Sequence, residues 1–199
     1  MLRPPAALRC PEHVAESTRL NHGARPLLAI LFALSGACGP VVRPDGGRGL
    51  LAIGVMAPEV VGEAPDGSVV RLTAVRGHPA IVYFYPKDGT PGCTQEACAF
   101  RDAFDGYQRL QVTIFGVSGD SSETHAEFRA SHHLPFSLVA DPGGAIAHAY
   151  GVSSTLGMDA RVTFLVGADG RIARVWPNVD PAVHAKEVLA AVETPNPAH

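Results

Sequence analysis

Ala80-Ile81-Val82-Tyr83-Phe84-Tyr85-Pro86-Lys87-Asp88-Gly89-Thr90-Pro91-Gly92-Cys93-Thr94-Gln95-Glu96-Ala97-Cys98 runs from strand formers through a turn into a helical pattern. The opening run is continuously apolar and aromatic, the composition of a strand buried on both faces. Proline and glycine then interrupt it, and the spacing predicts a helix over 94–110. Cys93 therefore falls just before or inside the first turn of that helix. Unsatisfied backbone N–H groups and the positive end of the helix dipole there favour thiolate over thiol, and thiolate is the nucleophilic form. A second cysteine, Cys98, follows five positions later. The arrangement is that of a redox-active thiol.

Strand and helix alternate on both sides of this stretch. Pro65-Asp66-Gly67 followed by residues 68–72 predicts a turn and a strand. Val112-Thr113-Ile114-Phe115-Gly116-Val117-Ser118 is a second buried strand, and Ser121 or Ser122 caps a helix running to about Ser131. A short strand over 137–140, a short helix over 145–150 ended by Gly151, and a final helix opened by Pro181 and ending near Val192 complete the alternation. Segments 161–166 and 171–176 flank Gly167-Ala168-Asp169-Gly170 as a hairpin with a four-residue connection. Alternation followed by a terminal hairpin predicts an α/β fold, a mixed central sheet covered by helices.

A chain of 199 residues, 46% hydrophobic and 18% charged, has the make-up of one globular domain. Its net charge of −3, with no basic cluster, gives no electrostatic footprint for nucleic acid. The first residues read differently. Arg25 precedes the apolar run Leu27-Leu28-Ala29-Ile30-Leu31-Phe32-Ala33-Leu34, which leads to Ser35-Gly36-Ala37-Cys38. The run falls short of the roughly 18 to 20 residues that span a bilayer, and it reads as a secretory signal. The segment resembles a bacterial lipoprotein signal, in which Cys38 is acylated and becomes the mature N-terminus. Ser35 departs from that pattern, and the long stretch before Arg25, with Pro4-Pro5 and Cys10, points to a later translation start. The expected organisation is a signal segment over 1–38, a Gly- and Pro-rich tether over 39–54, a folded domain over 55–193 and a tail over 194–199. The expected location is the periplasmic face of a bacterial membrane, the alternative being an uncleaved cytoplasmic extension.

Pro86-x-x-x-Thr90-x-x-Cys93 resembles the signature of peroxiredoxins, and residues 83–102 are similar to the Q-type branch, the bacterioferritin comigratory proteins. The likeness continues through Gly116-Val117-Ser118, Phe136-Ser137-Leu138-Val139-Ala140-Asp141, Tyr150-Gly151-Val152 and residues 161–166, covering roughly 55–192. Val60 and Gly89 depart from it, standing where an aromatic residue and an Asp or Asn are usual. The resemblance implies a thioredoxin-like fold and an antioxidant thiol peroxidase that reduces hydrogen peroxide and organic hydroperoxides without metal, flavin or haem. By the same resemblance Thr90 and the N–H groups around Gly92 and Cys93 contact the peroxide, Arg161 reaches across to the thiolate, and Pro86 and Pro91 shape the pocket. Cys98 becomes the resolving thiol, and a thioredoxin-like dithiol the reductant. An exported domain would need such a donor in the periplasm. A monomer is expected.

Taken singly, these residues have plainer readings: Pro86 and Pro91 as turn residues, Thr90 as a helix cap, Arg161 as a surface strand residue. Their conjunction favours chemistry. Cys93 and Cys98 also have a static alternative, a structural disulfide in an exported protein. Five residues along an α-helix separate Cα atoms by about 8 to 9 Å. A disulfide needs them within about 7 Å. The reduced chain can therefore be helical through Cys98, whereas the oxidised chain must unwind locally between 93 and about 100. Two other functions remain in view: a membrane-anchored thiol-disulfide oxidoreductase, which would use Cys-x-x-Cys, and a non-catalytic module. His132-His133 has no metal-ligand spacing. Glu96 and Arg101 belong to an internal ion network or face solvent; Glu123, His125, Glu127 and Arg129 read as a solvated face. Leu156 and Met158 border the pocket or pack a loop.

Overall fold

The computed structural model describes residues 41–194. Cys10, the apolar run over 27–34, Cys38 and residues 195–199 lie outside the described residues. Among the described residues nine strands and five α-helices, with a 3-10 turn over Leu72–Val75, follow one another: β1 Val61–Glu63, β2 Val69–Arg71, β3 Ala80–Phe84, α1 Pro91–Asp102, α2 Phe104–Arg109, β4 Thr113–Ser118, α3 Ser122–His132, β5 Ser137–Ala140, α4 Ala145–Tyr150, β6 Ser154–Thr155, β7 Met158–Asp159, β8 Val162–Val166, β9 Ile172–Trp176 and α5 His184–Glu193. Seven strands form one mixed sheet in the order β2-β1-β5-β4-β3-β8-β9. β3 pairs parallel to β4 and β4 to β5, and β8 runs antiparallel to β3.

β3 shows why the opening run makes a central strand. Side chains alternate across a sheet. Ile81, Tyr83 and Tyr85 enter one apolar layer with Phe100, Tyr107 and Val188, while Val82 and Phe84 enter the other with Phe115, Tyr150 and Phe164. Every position of the strand is thus buried, as its composition required. The register Phe84↔Val162 places the start of β8 beside the end of β3. Arg161, one residue ahead of β8, consequently lies at the sheet edge from which the Cys93 loop emerges.

Several expectations need correction. The first helix begins at Pro91, and a break at Ala103 divides the predicted 94–110 span into α1 and α2 with no Gly or Pro at the break. The terminal hairpin closes through 167–171, and the last helix starts at His184 rather than Pro181. A small hairpin of β6 and β7, ahead of Arg161, was not anticipated. The stretch 39–54 is also no free tether from Val41 onward. Arg43 Nη1 donates to Gly49 O at 2.8 Å, Val42 bridges Arg48, and Leu51 is 3% exposed with its N–H on Tyr150 O at 3.1 Å. A Cβ at Gly151 would meet Gly49 O at 1.9 Å, so only glycine lets this strap close over the end of α4. Local Gly and Pro content concealed a segment whose Leu51 reaches the core, with Leu50 packed against it.

Candidate active site

The loop 86–90 delivers the thiol. Thr90 is the N-cap of α1, with extended backbone, but its hydroxyl donates to Lys87 O at 3.0 Å instead of capping the helix. Pro91 then occupies N1, where its missing N–H costs nothing. Thr94 N–H makes the first helical bond, to Thr90 O at 2.9 Å, so the N–H groups of Gly92 and Cys93 precede the ladder. Cys93 is buried at the third helical position and Cys98 is half-buried; both are free thiols. The expected position of Cys93 inside a first turn is the observed one.

Arg161 reaches across from β8 with a divided grip. Its Nη2 donates to Cys93 Sγ at 3.3 Å, and its Nη1 forms an ion pair with Glu96, one turn along α1. A guanidinium at a sulfur stabilises the anion, and its rigid fork serves two acceptors together. A Cβ at Gly92 would make only ordinary contact, 3.4 Å from Arg161 Nη2 and 3.8 Å from Pro181 Cγ, so the approach does not depend on glycine there. Pro86 is half-buried at the loop's start, whereas Pro91 is exposed.

Glu96 is the site residue left undecided by the sequence. Its side chain has no exposure and its Oε1 has no partner among the described residues. Burial pushes its carboxyl up to about 7, with Arg161 pulling the other way. For Arg161, burial works against the charge, but Glu96 and Cys93 outweigh it and hold the guanidinium's pKa above its ordinary value. The signal that could have found Glu96 is its spacing, since i and i+3 share one helix face. Behind the site His184 pairs with Thr163 Oγ1 at 2.8 Å, and burial, then Arg161, lowers it to about 4. Arg101 fastens the far end of α1, with Nη1 on His132 O at 2.8 Å and Nε on Asp102 at 2.9 Å.

His125 corrects the expectation of a solvated face. It is buried and bonded through Nδ1 to Asp88 Oδ2 at 2.7 Å, and Arg129 is half-buried with Nη1 on Glu63 O at 2.8 Å, while Glu123 and Glu127 are exposed. Its polar helical neighbours masked the burial; Phe128, three residues on, was the apolar mark of the inner face. Leu156 is 94% exposed and Met158 is also exposed, so neither packs a loop interior.

The sequence pattern of the AhpC/TSA family matches residues 53–175. Peroxiredoxin Bcp of Bacillus subtilis is 37% identical over 151 residues, spanning 72% of this chain and 96% of that protein. Peroxidoxin BcpB of Mycobacterium tuberculosis superposes with a TM-score of 0.65 at 27% identity, over 72% of this chain and 97% of that one. The bacterioferritin comigratory protein of Xanthomonas campestris, whose structure gave insights into its alkyl peroxide reduction activity, superposes with a TM-score of 0.61 at 33% identity, over 67% and 90%.

Proposed function

The chain belongs to the AhpC/TSA family and, within it, to the Bcp or Q-type peroxiredoxins; from that premise, a thiol-dependent peroxidase, we propose that Cys93 is its attacking thiol and Cys98 its resolving thiol. The single observation that carries this reading is the fork of Arg161, with one arm on Cys93 Sγ and the other on buried Glu96. The sulfur thereby lies against a cationic donor and beside the N–H groups of the first helical turn.

Peroxide bound there meets donors that stabilise charge as the O–O bond lengthens. The Cys93 thiolate attacks one oxygen of ROOH. A sulfur–oxygen bond forms, the O–O bond breaks, and the electron pair departs on RO⁻, which takes a proton to become ROH. Arg161, the Gly92 and Cys93 N–H groups and the Thr90 hydroxyl are the groups assigned to hold the two oxygens. Cys93 is left as a sulfenic acid. Cys98 thiolate then attacks that sulfur, the S–S bond forms, and the S–O bond breaks with release of water after protonation. A thioredoxin-like dithiol returns both thiols by exchange. Hydrogen peroxide and organic hydroperoxides are the substrate class.

The assay is peroxide consumption by reduced protein with a dithiol donor. Cys93→Ser should abolish turnover, and Cys98→Ser should still form sulfenic acid but lose dithiol recycling. Turnover by Cys93→Ser would refute the assignment. For location, the signal-like run before Cys38 supports an exported lipoprotein. The strap from Val41 would then hold the domain close to its anchor. The mass of the mature N-terminus tests this: acylated Cys38 is expected, and an unmodified Met1 contradicts it.

A further inference from the structure

Two buried ionisable side chains beside the thiol's loop have no part in these steps. Asp88, in the middle of residues 86–90, and His125, on α3, are 3% and 4% exposed. Asp88 Oδ2 faces His125 Nδ1 at 2.7 Å, and Oδ1 accepts from the Tyr85 hydroxyl at 2.7 Å. Asp88 N–H donates to Asp120 Oδ2 at 2.8 Å, an oxygen that also accepts from Ser118 Oγ at 2.7 Å. Five residues of loop are thus tied to the end of β3, the end of β4 and α3.

A buried carboxylate persists only where its lone pairs meet donors, and an ionised one can only accept. With Asp88 as the acceptor, Nδ1 is the donor of the pair, and Nε2 is buried with no partner among the described residues. Past Asp88 the chain turns at Gly89, with φ of 70°, and reaches Thr90, whose hydroxyl bonds back to Lys87 O. Any displacement of Asp88 passes straight into Thr90 and the first turn of α1. None of the bonds that hold Asp88 and Asp120 involves a cysteine sulfur.

We propose that His125 is a positioning residue for the peroxide reaction: its Nδ1–H bond to Asp88 fixes the loop 86–90, and so Thr90 and the N–H groups ahead of Cys93, including while the following helix unwinds. This rests on Cys93 being the attacking thiol. His125 acts through Asp88, so its loss falls on sulfenic acid formation; disulfide formation draws on the segment after Cys93 and is spared. A core histidine serving stability alone would lower the melting temperature and move both steps together, or neither.

Single-turnover oxidation of the reduced full chain by hydrogen peroxide separates the two steps. In His125→Leu the second-order rate of sulfenic acid formation should fall about 10- to 100-fold, the loss typical of small misplacement, with the disulfide step within about twofold. His125→Asn, whose amide N–H stands near the place of Nδ1, should recover most of that rate. An undiminished first step in His125→Leu, an equal fall in both steps, or no recovery in His125→Asn overturns the proposal. If His125→Leu does not fold, Asp120→Ala frees Asp88 N–H from the other side and carries the same expectation; an unchanged rate there overturns it too. Cys93→Ser run alongside keeps the two assignments apart: peroxide consumption by that variant would sink the thiol assignment whatever His125 does.

Discussion

The loop 86–90 and the helix α1 approach the reacting sulfur from two sides, yet they are fastened differently. The loop is held by hydrogen bonds among Asp88, Tyr85, His125, Asp120 and Ser118, a set that contains no sulfur. The first turn of α1 is held by Arg161, and Cys93 Sγ is itself one of the two anchors of that grip. Oxidation of Cys93 changes the helix's fastening and leaves the loop's intact. At the other end, Phe100 stacks on Tyr83 with ring centroids 4.9 Å apart and Arg101 is bound to His132 O. Between these anchors lies Cys98, half-buried, on the stretch that must yield for a disulfide to form. The difference teaches that a redox change can reach the helix without loosening the loop that carries Thr90.

The comparison breaks most severely if Arg161 is removed. Arg161→Ala should slow sulfenic acid formation by about 10² to 10³, the usual loss of a donor to developing charge. It also strands Glu96 as a buried carboxylate, so the melting temperature should fall, by an amount corresponding to roughly 3 to 5 kcal/mol if the charge stays. Stopped-flow oxidation and thermal unfolding read the two effects. A fall in stability with no fall in rate would make Arg161 a structural residue of α1 only.

A smaller effect sharpens the helix side. The carboxyl of Glu96, at about 7, lies above its ordinary value because of burial. Folding therefore favours its protonated form. That contribution is fully present below the ordinary carboxyl range near 4.5 and is lost as pH rises through about 7. Glu96→Gln should remove this share of the pH dependence of stability, on the order of a few kcal/mol across the window, while retaining an oxygen to accept from Arg161. Thermal unfolding from pH 4.5 to 8 checks it; parallel curves for the two proteins would contradict the burial argument.

The same contrast explains what was legible in the sequence. The strand, the Pro- and Gly-marked turn, and the thiol in the first turn are all local facts, and 80–98 displays them in order. Arg161 was reached through resemblance to a family pattern, and the structure puts its guanidinium on the sulfur. Glu96 is left open by the sequence and His125 reads as part of a solvated face, because both are polar residues amid polar neighbours, and only packing against β3 and the loop makes them interior. The strap was hidden for a related reason: Leu50 and Leu51 follow a Gly- and Pro-rich stretch, and the partner of Leu51, Tyr150, is about a hundred residues away. The hairpin of β6 and β7 turns on Leu156-Gly157, both with positive φ, rather than on the Asn-Gly or Asp-Gly pairs that announce such turns.

Hydrogen exchange of the reduced protein and of the Cys93–Cys98 disulfide form, followed peptide by peptide from 80 to 105, tests the central contrast most directly. Amide protection should collapse over about 93–100 on oxidation and remain unchanged, within error, over 86–90 and the flanking β3. Identical protection of 93–100 in the two states, or loss of protection across the loop together with the helix, would contradict it.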